Sequence, residues 1–92
     1  MFQVVWLESA LNDLARIWTR ADSRLRRAIT VSANAVDNEL GASPSERGES
    51  RGGRTRVFFV EPLGIEFEIH SRRSTVDVVH VWNIRRKKKS GG

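Results

Sequence analysis

The sequence predicts an α+β domain in the order β-α-α-β-β-β, with a helical hairpin packed on one face of a mostly antiparallel four-stranded sheet. Three observations carry this. A short β-branched and aromatic run opens the chain, two stretches with apolar residues every three or four positions follow, and the last third alternates apolar with polar residues. A chain of 92 residues holds one small domain. It has no cysteine, so neither a disulfide framework nor a cysteine zinc site supplements the core. Hydrophobic residues make up 39%, with three Trp and four Phe, which reads as globular rather than disordered. No apolar run approaches the ~18 residues of a membrane span, and no charged leader precedes an apolar stretch at the N-terminus. The expectation is a cytoplasmic protein without a membrane partner.

Residues 2–7 (FQVVWL) read as the opening strand. Leu11, Leu14, Ala15 and Trp18 then recur at helical spacing, with Asn12, Asp13, Arg16 and Thr19 on the other side, which predicts a helix over 9–20 with Trp18 in its packing face. Trp6 has core spacing as well. Asp22 or Ser23 can cap a second helix whose buried stripe is Leu25, Ile29, Ser32 or Ala33, Val36 and Leu40, with Gly41 as its stop. Residues 41–53 (GASPSERGESRGG) carry four of the seven glycines and no large apolar side chain, and read as a loop.

The last third reads as a three-stranded meander. A two-residue turn at Arg72-Arg73 sets Val76, Val78, His80 and Trp82 on the core face with Ile65, Phe67 and Ile69. A three-residue loop at Pro62-Leu63-Gly64, with Gly64 left-handed, sets Val57 and Phe59 in the core. The opposite, open face then carries Arg54, Arg56, Glu66, Glu68, His70, Asp77, Asn83 and Arg85, with Phe58, Val60, Val79 and Val81 between them. A face that mixes charge with apolar side chains is a surface for a partner.

The net charge is +5 and uneven: through Ser45 five acids balance five arginines, and from Glu46 onward six acids face eleven bases. Arg85-Arg86-Lys87-Lys88-Lys89 concentrates that excess near the C-terminus. Residues 1–86 are read as the domain and 87–92 as a basic flexible tail. Such a balance favours a polyanion or an acidic protein, or serves solubility alone.

In this order the elements resemble the RelE/ParE-type toxins of bacterial type II toxin–antitoxin pairs. The resemblance runs from Val5-Trp6 through Ala10 and Asp13-Leu14, Arg54-Thr55-Arg56, Pro62-Leu63-Gly64 and Val78-Val79-His80-Val81 to Arg85-Arg86. It implies a cognate antitoxin as partner and no cofactor. RelE-like members cut messenger RNA on the ribosome, whereas ParE-like members poison DNA gyrase without nuclease chemistry, and fold does not choose between them. The chain is expected to be such a toxin, arresting growth as a metal-independent endoribonuclease that cleaves mRNA on the ribosome; the alternatives are a ParE-like gyrase poison and a non-toxic module that only binds its antitoxin.

Metal-independent RNA cleavage needs a base for the 2′-OH, a cation for the crowded phosphate and an acid for the leaving oxygen. The resemblance assigns phosphate contact to Arg54, Arg56 and Arg85, and arginine's fixed fork suits that role. Arg51, Arg86, Lys87 and Lys88 are further candidate nucleic-acid contacts. Two departures stand against it. Glu66 occupies the position after the turn glycine where RelE-like toxins carry arginine, and the chain has no Tyr to supply the family's C-terminal tyrosine. His70 is therefore the candidate proton-transfer residue, since its ordinary pKa lies near neutrality, and it is placed beside Arg56. His80 is read as a core histidine. A metal site is not expected, because His70 and Glu68 share one strand with no third ligand evident.

Overall fold

The computed structural model describes residues 1–84; Arg85, Arg86, Lys87 and Lys88 lie outside the described residues, as does the rest of the predicted tail. The elements are β1 (Gln3–Trp6), α1 (Glu8–Thr19), α2 (Ser23–Ala42), β2 (Glu49–Ser50), β3 (Thr55–Val60), β4 (Leu63–His70) and β5 (Thr75–Asn83). The sheet has five strands in the order β1-β5-β4-β3-β2, with β1 parallel to β5 and the remaining pairs antiparallel. Both helices cover one face, as the sequence predicts. The extra strand is β2, where the glycine-rich loop touches the edge of β3.

The second helix follows its pattern closely. The Asp22 carboxylate accepts from the Leu25 N–H at 2.8 Å, a cap worth about 1 kcal/mol. Ile29, Ser32, Val36 and Leu40 are buried, and Ser32 Oγ donates to the Val60 carbonyl at 2.6 Å, so its hydroxyl is satisfied inside the core. The helix does not stop at Gly41 but runs on to Ala42, and the Gly41 carbonyl accepts from Phe2 N–H at 2.8 Å.

The first helix is rotated from the predicted stripe. Ala10 is fully buried and Leu14 and Ile17 pack on the core, while Leu11 and Trp18 are exposed. Trp18 is thus not a core residue; the Arg26 guanidinium lies over its ring, 5.3 Å from the centroid. The rotation turns Asp13 inward. Trp6 is half-buried and donates from Nε1 to Asp37 at 2.7 Å.

Two local features reset the meander. The β3–β4 turn is the two residues Glu61-Pro62, joined by a cis peptide, so Val60 pairs with Leu63, Phe58 with Ile65 and Arg56 with Phe67. Opposed residues share a face. Phe58 and Val60 therefore join the core, Phe59 turns outward at 55% exposure, and Gly64 is a strand residue rather than a left-handed one. Gly64 is required for another reason: a Cβ there would meet Trp82 Cε2 at 2.4 Å. At the other hairpin the predicted pairing holds from His70–Thr75 to Phe67–Val78, but a bulge between Glu66 and Phe67 then sets Glu66 opposite His80 and Ile65 opposite Val81. Val81 is consequently buried, while His80 and Trp82 leave the core face.

Candidate functional site

The open sheet face that results differs from the expected one. Glu66, Glu68, His70, Asp77, His80, Val57, Phe59 and Trp82 occupy it, with Phe59 and Trp82 in an edge-to-face pair whose centroids are 6.1 Å apart. Arg56 is not on it. Its register partner is the buried Phe67, and its guanidinium donates to the loop carbonyls of Arg47 (2.8 Å) and Gly48 (3.0 Å). Gly48 accommodates this clasp at φ +68°, with its α-carbon so close to the Val57 carbonyl that a Cβ would come within 2.2 Å. Arg56 thus holds the glycine-rich loop against β3.

Arg54 precedes β3 and does reach the open face, with Nη1 3.5 Å from His70 Nδ1. The structure therefore brings Arg54, not Arg56, to His70. Arg51 is exposed in the β2–β3 connection, where its N–H bonds the Thr55 carbonyl at 2.8 Å. His70 Nε2 faces the other way, 3.1 Å from Asp77 Oδ2 and 3.6 Å from Glu68 Oε1. Asp77 is the third group that inspection of one strand could not supply; it comes from β5, directly opposite Glu68.

A second histidine–carboxylate pair lies at the other end of β5. β1 ends at Trp6, so beyond that point the edge of β5 has no strand partner and α1 covers it instead. Leu7 N–H donates to the Val78 carbonyl at 3.0 Å, Ser9 Oγ donates to the Val79 carbonyl at 2.6 Å, and Asp13 Oδ2 accepts from the Val81 N–H at 3.0 Å. The same Asp13 oxygen lies 3.0 Å from His80 Nδ1, with the imidazole about half exposed. Burial pushes the Asp13 carboxyl up, but the Val81 N–H, His80 and Arg16 together outweigh it and hold the group below its ordinary 3.8. The arrangement fixes Nδ1 as the donor and leaves His80 Nε2 open. Neither Asp13 nor His80 was identifiable as a site residue from spacing, because the bulge that exposes His80 carries no residue signature.

A groove of about 1130 Å³ runs beside this pair, between α1, the start of α2 and the end of β5. Ile17, Leu25, Val81 and Trp82 are its apolar lining, and its charged lining is mixed: Arg16, Arg20 and Arg24 stand with Asp13 and Asp22, and Arg16 is ion-paired with Asp13. Through Ile84 the chain has eleven acids and eleven arginines, so the excess of five belongs to Arg85–Lys89. No helix among the described residues is long and apolar enough to cross a membrane.

No family model matches the sequence, and no curated protein does. Solved structures do. A chain of the RelBE2 toxin–antitoxin complex of Mycobacterium tuberculosis is similar with a TM-score of 0.72 at 15% identity, over 89% of this chain and 90% of that one. A chain of the chromosomal ParDE toxin–antitoxin system of P. aeruginosa gives 0.73 at 15% identity, over 91% and 97%. This is the RelE/ParE toxin fold. The isolated E. coli RelE toxin shares it with a TM-score of 0.62 at 18% identity, over 96% of this chain and 89% of that one. Both branches of the RelE/ParE fold match at comparable quality, so the similarity does not separate nuclease from gyrase poison.

Proposed function

We propose that this chain is the toxin of a type II toxin–antitoxin pair, and that it arrests growth by binding a protein target, with DNA gyrase the first candidate, rather than by cutting RNA with an arginine cradle. One observation carries the choice. The face expected to hold phosphate presents Glu66, Glu68 and Asp77 beside an apolar Phe59–Trp82 pair, while the Arg56 fork is taken by main-chain carbonyls. Carboxylates repel phosphate, and an aromatic patch rimmed by charge is the composition of a protein contact. The proposed antitoxin is a segment with apolar and charged residues, which matches a groove lined by Ile17, Leu25 and Trp82 with arginines and aspartates between them.

A ribosome-dependent nuclease is the second reading. It is favoured by the Asp13–His80 pair, whose open imidazole nitrogen has the arrangement of a general base, with Arg54 and the Arg85–Arg86 pair as phosphate contacts. One experiment separates the two. The chain is induced without antitoxin, the 5′ ends of a translated message are mapped by primer extension, and purified protein is added to a gyrase supercoiling assay. Growth arrest with intact messages and loss of supercoiling is the expected outcome. New ends confined to translated messages would overturn it in favour of the nuclease, and His80→Gln should then abolish them. Absence of arrest would leave an antitoxin-binding module.

A further inference from the structure

We propose that Glu68, His70 and Asp77 form a site for one divalent transition-metal ion, Zn²⁺ in the first instance. The proposal stands apart from the choice of toxin target. Its basis is the strand register. Glu68 and Asp77 are directly opposed across β4 and β5, and His70 lies two residues from Glu68 on the same face, so two hydrogen-bonded strands fix three ligating groups. One ligating atom from each falls within 4.8 Å of the others.

The separations are those of groups sharing an ion, and the direction of the contacts is poor for hydrogen bonding. A tetrahedron of ~2.1 Å bonds has edges of about 3.4 Å, and His70 Nε2 lies 3.1 Å from Asp77 Oδ2 and 3.6 Å from Glu68 Oε1. Nε2 is closed to solvent, yet it makes no hydrogen bond with either oxygen. At 3.1 Å that failure is one of direction: the Asp77 oxygen lies off the axis of the ring nitrogen. Off-axis oxygens make poor acceptors for an N–H. They are where co-ligands sit around an ion placed on the nitrogen's lone pair, and a buried nitrogen without a directed partner calls for an explanation of this kind.

The donor set selects the ion. One imidazole and two carboxylates, with no thiolate, suit Zn²⁺ or a neighbouring first-row dication, and Zn²⁺ stands high in their affinity order. Mg²⁺ prefers six oxygens and keeps much of its water. Three protein ligands leave a fourth position for water or a partner's side chain. Arg54 approaches the ring from its far side, 3.5 Å from Nδ1, at the long limit of hydrogen bonding. With the ion bound, Nδ1 carries the ring proton and Arg54 swings toward solvent.

The test uses the full chain stripped with EDTA and titrated with ZnCl₂ alone, followed by calorimetry and by thermal unfolding. One equivalent should bind, and the Tm should rise by several degrees at saturating Zn²⁺. His70→Gln and Asp77→Asn should each weaken binding by at least about tenfold while circular dichroism shows the fold retained. His80→Gln should bind as the parent chain does. Co²⁺ in place of Zn²⁺ should give the intense visible bands of a tetrahedral site. No saturable binding, equal binding in the His70 and Asp77 variants, or loss on His80→Gln instead would overturn the assignment.

Discussion

His70 and His80 stand on the same face of the same sheet, each beside carboxylates, and they are held in opposite ways. His80 is paired from outside its strand. Asp13 comes from α1, meets Nδ1 at 3.0 Å, and is anchored by a second bond from Val81 N–H, so the pair is directed although the imidazole is 52% exposed. His70 is enclosed by neighbours of its own sheet, its side chain only 15% exposed, with carboxylates at contact distance and no directed bond at Nε2. The difference is one of direction, not of proximity. A carboxylate that also answers an unpaired backbone N–H has a structural function; two carboxylates converging on an unpaired nitrogen leave that nitrogen available for a ligand.

Breaking the directed pair should have the largest effect. Asp13→Ala deprives Val81 N–H of its acceptor at a part-buried position and should cost about 2 kcal/mol in chemical denaturation. A loss below ~0.5 kcal/mol would show that the backbone closes the β5 edge without the carboxylate. The pH dependence sharpens the same point. The Asp13 pKa is lowered on folding, so its contribution is complete above the ordinary 3.8 and is lost as pH falls through the lower folded value. Acid unfolding of the parent chain should show that loss, and Asp13→Asn, which keeps an acceptor but does not titrate, should flatten it.

His80→Ala removes a half-exposed partner of Asp13 and should cost under about 1 kcal/mol in thermal unfolding. The smallest effect belongs to His70. In metal-free protein His70→Gln should change stability by less than about 0.5 kcal/mol, since no directed hydrogen bond is lost at Nε2. A large loss there would show that the cluster is a structural ion pair and remove the contrast.

Much of the fold was legible because it rests on patterns longer than one turn. The α2 stripe from Leu25 to Leu40, the alternation from Ile65 to Ile69 and the pairing that follows the Ser71–Arg73 turn all repeat often enough to fix a face. The site was less legible because it depends on single-residue shifts. A turn of two residues at Glu61-Pro62, where three were expected, exchanges Phe58 with Phe59 and removes Arg56 from the open face; a bulge opposite Glu66 does the same for Val81, His80 and Trp82. Side-chain period in a strand is two, so one such step inverts every assignment beyond it. Asp77 was placed on the correct face, yet its meeting with His70 and Glu68 emerges only when opposed pairs are read together.

The way α1 closes β5 bears on solubility. An uncovered strand edge is a template for another chain, and the stretch of β5 beyond its last pair with β1, Trp6–Val78, is apolar at Val79 and Val81. Leu7, Ser9 and Asp13 answer the carbonyls of Val78 and Val79 and the amide of Val81 in place of a strand, so those backbone groups are not offered to a second copy. Loosening α1, by Asp13→Ala or by acid, should therefore expose a sticky edge before the rest of the sheet unravels, and light scattering would register self-association ahead of global unfolding.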